Sequence, residues 1–407
     1  MDMEKNILDG IRVIEAATYI FGPAAATVMS DFGADVIKVE RPGLGDPYRY
    51  LSYVRPMPVS EVNYCFVLDG RNKRSVALNL ADAAGRDALL RLVETADVFI
   101  TNYQPSVLDK LRLNYEDLSP LNPRLIYAQA TGYGEQGEEI EKPGFDMTAF
   151  WARSGLMDAV HDAMSDPALS VAGMGDHPSA MIVFGAVMLA LYQRERTGRG
   201  AKVSTSLMAS GAWANSCLIQ AALCSATEYS RGTRASAFNP LVNHYVSRDQ
   251  KRFIFCLIQA EKDWPNLCKA IDCAELITDP LYATGEARVE NAARLIAVFD
   301  RAFAEKDMEA WAEIFAAHDL AWSPVKTIEE VSRDPQMEAN QVFVDFDHPQ
   351  HGRLRTVNSP FFIEGAKKAM PRAAPDVGEH TFEIMRELGF ADHQIEEMIK
   401  RGAAGAK

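Results

Sequence analysis

The sequence predicts an α/β fold in which a parallel sheet, covered by helices on both faces, is joined by a smaller α/β unit. Three observations carry this expectation. Short apolar runs alternate with helix-periodic stretches through the first hundred residues, as in successive βαβ units. Those runs are apolar throughout, as strands buried on both faces are. The composition, 48% hydrophobic and 24% charged over 407 residues, is that of a globular chain of two or three domains.

Taken in order, residues 11–14 read as a short buried strand. Gly22-Pro23 opens an alanine-rich helix to about Gly33, with Pro in its favoured first turn. Residues 35–40 read as a second strand, and 42–70 as an irregular stretch punctuated by Gly and Pro. A strand at 75–80, a helix at 81–95 and strands at 97–101 and 125–131 follow. A helix is expected over 145–157. A stronger one covers 178–194, where Met181, Phe184, Met188 and Leu191 share a stripe. Residues 203–223 read as a strand then a long helix. The polar stretch 225–237 marks a boundary. Beyond it, strands at 244–247 and 253–258 and helices rich in Ala, Glu and Trp make the smaller unit. Mixed segments return from 325 and close with a helix at 381–388. The expected domains are 1–224, 225–322 and 323–407.

Charge and cysteine usage narrow the function classes. The formal net charge is −14, from 42 Lys+Arg against 56 Asp+Glu, which argues against a nucleic-acid binder but leaves local clusters for small anions. The six cysteines form no C-x-x-C pair and read as thiols in a reducing compartment, with no metal site. The N-terminal ten residues are charged and lack the apolar core of a secretory signal. The longest apolar run, 181–192, is too short to span a bilayer. A cytoplasmic protein with no membrane partner is expected.

Several motifs fail on inspection. Gly132-Tyr133-Gly134-Glu135-Gln136-Gly137 matches G-x-G-x-x-G, yet an acidic stretch ending at Pro143 follows it. A dinucleotide fingerprint needs a helix N-terminus there, so a flexible glycine loop is the better reading. His348 and His351 flank a turn with no further ligand nearby. Arg71-Asn72-Lys73-Arg74 reads as a solvated face, with a phosphate or carboxylate site as the alternative.

One constellation carries chemistry. Gly173-Met174-Gly175-Asp176-His177-Pro178 stands at the start of the strong helix. The plain reading of Asp176 is a helix cap. The functional reading uses the same position: the helix dipole keeps the carboxylate ionised, the glycines let a substrate approach the backbone, and an accessible carboxylate serves as a covalent nucleophile.

The chain resembles the class III CoA-transferases, the CaiB/BaiF family, over nearly its whole length. The resemblance rests on Leu8-Asp9-Gly10-Ile11-Arg12-Val13, the run from Gly33 to Arg41, Asn72-Lys73-Arg74-Ser75-Val76, Asp97 to Asn102, Asn122-Pro123-Arg124-Leu125-Ile126 and Thr197-Gly198-Arg199-Gly200, in that order. It implies that Asp176 is the nucleophile and that acyl-CoA is a substrate, with no permanently bound cofactor. It also implies CoA contacts at Arg41, Asn102, Tyr103, Lys110 and Lys142, with Thr18-Tyr19-Ile20-Phe21 along the pantetheine channel. Within the family the chain is similar to the 2-hydroxyacid branch, which acts on cinnamoyl-CoA, phenyllactate and 2-hydroxyisocaproate. The supporting residues are Gly132 to Glu135, Pro143-Gly144-Phe145-Asp146, Thr148-Ala149-Phe150, Ala152-Arg153 and Gly175-Asp176-His177. The glycine run by which the formyl-CoA type covers its aspartate is missing between 225 and 270, which counts against formate and oxalate.

The resemblance further implies a large Rossmann-like domain built from both chain ends, a small central domain and an interlocked homodimer. Two alternatives stand beside the transferase. An α-methylacyl-CoA racemase needs an acid/base pair and carries a Gly-His-Asp motif. The matching triplet here is Gly144-Phe145-Asp146, with no His between 103 and 131, so Asp146 reads as structural or as a residue that supports the site from behind. A non-catalytic CoA-binding protein is the other alternative, and the intact Gly175-Asp176 pair argues against it.

Overall fold

The structure, a computed structural model, describes residues 6–227 and 229–407. Residues 1–5 of the charged N-terminal segment and Glu228 of the polar stretch lie outside them. The chain forms two compact units. One comprises residues 1–158, 169–225 and 340–407, so both ends of the chain build it; the other comprises 159–168 and 226–339.

The first unit is organised by a sheet of seven strands. Six are parallel: β1 (Arg12–Ala16), β2 (Asp35–Glu40), β3 (Arg74–Leu78), β4 (Val98–Thr101), β5 (Ile126–Thr131) and β6 (Ala201–Ser206), in the order β3-β2-β1-β4-β5-β6. The short strand Ala404–Gly405 closes the β3 edge antiparallel. Helices cover both faces, so the central strands are buried throughout, as their unbroken apolar runs require. On one face lie α1 (Phe21–Asp31) and α2 (Tyr64–Gly70). On the other lie α3 (Ala83–Glu94), Leu108 of α4 (Pro105–Leu111), Leu118 of α5 (Tyr115–Leu118) and the helix Thr381–Glu387. Then come α6 (Leu156–Ala159) and α7 (Asp176–Thr197), which packs beside α1. Every residue of α1 is buried; its alanines allow that close approach.

Strand order reverses between β1 and β4, and in open α/β sheets ligands bind in the crevice outside the carboxyl ends at such a point. Buried charge fixes the β1–α1 turn at this place. Glu15 accepts hydrogen bonds from Lys38 at 2.5 Å and Lys73 at 2.6 Å, and all three side chains are buried. Lys38 also pairs with Asp46 at 2.7 Å. The Asp46 Oδ1 accepts the backbone N–H of Tyr19 at 3.0 Å, which holds Tyr19 at φ +62°, a left-handed conformation uncommon outside glycine. Burial pulls the Lys73 pKa down. It opposes the charge of Lys38 too, but Asp46, Glu15 and Glu40 outweigh it and raise that pKa.

The basic run is neither a solvated face nor a phosphate site. Arg71 forks onto Asp31 at 2.9 and 2.6 Å, Lys73 is bound to Glu15, and Arg74 bridges Asp35, Glu383 and Glu387. These cations are spent holding α1, β1, β2 and the helix Thr381–Glu387 to the segment that leads into β3.

The second unit is a three-stranded antiparallel sheet, β7 (His244–Val246), β8 (Arg252–Phe255) and β9 (Trp322–Pro324). Its core is aromatic, with Tyr245, Phe253, Phe255, Phe299, Phe303, Trp311 and Phe315 buried together. This unit runs past residue 322 because β9 pairs with β8. In the first unit, β10 (Phe343–His348) and β11 (Gly352–Val357) form a hairpin, and His348 and His351 sit at its turn.

Three local expectations differ. The helix expected over 145–157 is a single π-helical turn, Asp146–Ala152, followed by α6. The long helix breaks at Asn215 into α8 (Leu207–Ala214) and α9 (Ser216–Leu223), where the Asn215 amide donates to the Ser154 carbonyl at 3.0 Å. The irregular stretch 42–70 contains α2, started by Asn63, whose side chain accepts the Phe66 N–H at 3.2 Å.

Removing one partner of a buried ion cluster strands the others. Glu15→Gln is expected to cost about 3–5 kcal/mol in urea denaturation. Glu329→Gln breaks an exposed pair with Arg333 and is expected to leave the midpoint nearly unmoved.

Candidate active site

The start of α7 is shaped by its glycines. Gly173 takes φ +77°, and a Cβ on Gly175 would lie 2.6 Å from the Phe150 ring, so only glycine lets the segment rest there. Asp146 pins the same point: its Oδ2 accepts the Gly175 N–H at 3.3 Å and its Oδ1 the Met147 N–H at 2.7 Å. The Gly132 of the literal G-x-G-x-x-G crosses Gly144, whose Cα would stand 2.8 Å from an added Cβ. A close backbone crossing, rather than a pyrophosphate, explains that glycine.

Asp176 is the first residue of α7. It is half-buried, and its carboxylate accepts no hydrogen bond from another described residue. His177 beside it is held at both nitrogens. Nδ1 faces the Gly173 carbonyl at 3.2 Å, and Nε2 faces the Asp69 carboxylate at 3.2 and 3.3 Å. The Asp69 Oδ2 also accepts the Tyr48 hydroxyl at 2.8 Å. Burial works against a charged His177, but the Asp69 carboxylate and the Gly173 carbonyl outweigh it and raise its pKa. Acceptors at both ring nitrogens suit an imidazolium.

The helix dipole does not keep Asp176 fully ionised, contrary to the expectation from the sequence. Burial, with the Asp146 and Asp69 carboxylates and against the His177 charge, pushes its pKa up to about 7. Desolvation and like charge outweigh the dipole, whose influence is modest. Near neutrality both protonation states are populated.

Of the five positions expected at CoA, three line one cavity of about 350 Å³ at the carboxyl ends of β1 and β4: Asn102, Tyr103 and Lys142, with Thr18, Tyr19 and Phe145 among their neighbours. Asn102 clamps the β1–α1 turn, accepting the Thr18 N–H at 3.0 Å and donating to its carbonyl at 2.7 Å. Burial pushes the Tyr103 pKa up to about 12. Lys142 pairs with Glu139 at 2.6 Å and stands 5.0 Å from the centre of the Tyr133 ring. Arg41, just past β2, and Lys110, in the last turn of α4, lie outside this cavity. Both are exposed, and neither has an acidic partner among the described residues. A separate cavity of about 450 Å³ has Asp69, His177 and Pro178 in its lining.

Sequence reasoning missed Asp69 and Tyr48. Asp69 lies 108 positions from His177, in a stretch read as irregular, and no local pattern marks it.

Residues 8–381 match the family described as CoA-transferase family III. The chain belongs to that family. It is 32% identical to a cinnamoyl-CoA:phenyllactate CoA-transferase of Clostridium sporogenes, over 98% of each chain. It is 31% identical to an (R)-2-hydroxy-4-methylpentanoate CoA-transferase of Clostridioides difficile, over 96% of this chain and 97% of that one. Its fold matches a CaiB/BaiF family protein from Brucella suis with a TM-score of 0.83, at 29% identity, covering 95% of this chain and 100% of that one. This is therefore a class III CoA-transferase with the α/β architecture of that family. Among the described residues no group of three or more His, Cys, Asp or Glu is placed to hold a metal ion. No helix among them is long and apolar enough to cross a membrane.

The raised Asp176 pKa has a linkage consequence. A carboxyl whose folded pKa lies above its unfolded value favours folding when protonated, and that contribution is lost as pH rises through about 7. Asp176→Asn is therefore expected to raise the melting temperature relative to the parent more at pH 8 than at pH 5. Thermal melts at the two pH values check this; a larger gain at pH 5 contradicts it.

Proposed function

We propose that Asp176 is the covalent nucleophile of CoA transfer. The observation that carries this reading is its placement: a carboxylate without a hydrogen-bond donor among the described residues, half-buried at a glycine-shaped helix start, between Gly175 held by Asp146 and His177 held by Asp69. Partial desolvation raises the basicity of such a carboxylate and, with it, its nucleophilicity.

The steps follow from the chemistry of a thioester. The Asp176 carboxylate attacks the acyl carbonyl of the donor acyl-CoA, and the carbon–sulfur bond breaks to give a mixed anhydride and CoA thiolate. The thiolate attacks the aspartyl carbonyl, forming an aspartyl-CoA thioester and releasing the donor acid with one oxygen from Asp176. The acceptor carboxylate attacks that thioester, and the two steps run in reverse. The thioester's free energy is conserved at each step. His177 is adjacent, and the Asp69 carboxylate and the Gly173 carbonyl at its two ring nitrogens favour its charged form, which offsets the negative charge of the crowded carboxylates.

CoA is read as entering at the 350 Å³ cavity. Thr18 and Tyr19 form its wall, and Asn102 and the buried charge below hold that wall in place. Tyr103 and Lys142 line it, and Arg41 and Lys110, which have no acidic partner among the described residues, are assigned to the phosphates. The substrates are read as medium-sized 2-hydroxy acids and their 2-enoyl-CoA partners, a reading supported by the names of the two clostridial relatives. Exposed Leu189, Tyr192 and Trp213 on α7 and α8 support a homodimer in which they are covered. Six unpaired cysteines support a reducing, cytoplasmic setting.

Asp176→Ala is expected to abolish transfer while the protein still folds and binds CoA, measured by product mass spectrometry and calorimetry. More than a few per cent residual activity rules out the nucleophile. Wild-type transfer in heavy water is expected to leave the α-carbon free of deuterium, because only carbonyl bonds break. Enzyme-dependent deuterium uptake that survives Asp176→Ala and vanishes in Asp146→Ala points instead to racemase chemistry.

A further inference from the structure

We infer that the site takes monocarboxylic acids and rejects dicarboxylic ones, because the first turn of α7 surrounds the reacting carboxylate with fixed negative charge and holds no uncommitted cation for a second. This inference rests on the reading of Asp176 as nucleophile and names the substrate class of that site.

The fixed charges come first. Asp146 Oδ2 lies 3.3 Å from the amide nitrogen of Gly175, and Asp69 Oδ2 lies 3.2 Å from the ring of His177. Both carboxylates are buried. The charges that bear most on the Asp176 carboxylate are those of Asp146, His177 and Asp69. His177 is the one cation in that set, and its two ring nitrogens already face the Gly173 carbonyl and the Asp69 carboxylate. It has no N–H left to offer a ligand.

The neighbouring cations are committed elsewhere. Arg71 shares a cavity lining with Asp69 and His177, but it forks onto Asp31. Lys73 is within reach of the Asp69 charge, but its Nζ is bound to Glu15 at 2.6 Å and to the Pro23 carbonyl at 2.8 Å. Lys142 and Arg153 flank the Asp146 turn in the chain, and both pair with Glu139, at 2.6 and 2.8 Å.

The charge count then separates the two kinds of acid. When the acceptor attacks, Asp176 is an uncharged thioester. Asp69 and Asp146 carry two negative charges against one positive charge on His177. The attacking carboxylate does not add a lasting charge: its oxygen bonds the aspartyl carbonyl, the carbon–sulfur bond breaks, and the negative charge leaves on the CoA thiolate. A second carboxylate has no such exit. In glutarate, three methylene groups put it about 5 Å from the first, so it stays beside the buried carboxylates, where charge is screened far less than at the surface. It must remain ionised without a partner or take up a proton, and either costs affinity. A neutral end group of the same size meets no such penalty.

The test compares two acceptor acids of the same shape, glutarate and 4-nitrobutyrate, in which a neutral nitro group replaces the second carboxylate. At pH 7 the wild-type kcat/KM is expected to be at least about tenfold higher for 4-nitrobutyrate, since like charges brought together in a site are strongly disfavoured. Where an acid turns over too slowly to follow, its inhibition constant against transfer to a faster acceptor supplies the same comparison. Asp146→Asn removes one negative charge and is expected to narrow the ratio severalfold. His177→Gln removes the positive charge and is expected to widen it. A variant that merely loosened the site would slow both acids alike and leave the ratio where it was. Circular dichroism shows whether each variant is folded, and the wild-type ratio decides if neither is. Equal use of the two acids by the wild type, or a ratio that moves in neither folded variant, overturns the inference. Failure of the Asp176 chemistry looks different, because Asp176→Ala would then still transfer CoA, whatever its preference between the two acids.

Discussion

Three carboxylates, Asp69, Asp146 and Asp176, crowd the first turn of α7, and the site depends on how unequally they are satisfied. Asp146 spends its oxygens on the Gly175 and Met147 amides. Asp69 takes the Tyr48 hydroxyl and the His177 ring. Asp176 has no donor among the described residues, so the cost of burial and mutual repulsion falls on it, and its pKa rises to about 7. Like charges near one another separate their pKa values in this way. The least compensated member is also the first residue of the helix, which suits the nucleophilic role proposed for it. The neighbours matter because they withhold stabilisation from its charge while the glycines hold its backbone.

The same principle of local support operates beneath the β1–α1 turn. Glu15, Lys38, Lys73 and Asp46 form a buried charge cluster, and through Asp46 it holds Tyr19 in a left-handed conformation. Asn102 grips the neighbouring Thr18 from both sides. Taking these charges out of water is expensive. What is gained is a rigid wall at the point where strand order reverses, where an α/β sheet presents its ligand crevice. The first βα turn thus forms the wall of the 350 Å³ cavity without the glycine fingerprint of dinucleotide-binding folds.

The strands were legible because each is a short, unbroken apolar run, and burial on both faces permits little else. Gly175-Asp176-His177 was legible because a carboxylate after glycines at a helix start is a local pattern. Asp69 and Tyr48 were not, because their link to His177 spans more than a hundred residues and they sit where Gly and Pro disguise a helix. The Arg71–Arg74 run misled because sequence displays charge but not its partners: Asp31, Glu15, Asp35 and Glu387 are distant in the chain. The ionisation of Asp176 was misjudged for a related reason. The dipole of α7 is local and readable, whereas the opposing carboxylates come from elsewhere in the fold.

In the proposed mechanism one oxygen of Asp176 passes to the donor acid and is replaced from the acceptor in each turnover. This exchange is tested most directly by supplying an acceptor acid with both carboxylate oxygens as ¹⁸O and weighing the peptide that contains Asp176. This peptide is expected to gain ¹⁸O at the Asp176 carboxylate as acyl-CoA is formed. Turnover that leaves the Asp176 peptide unlabelled, or that deposits the label on another residue, would contradict the mechanism.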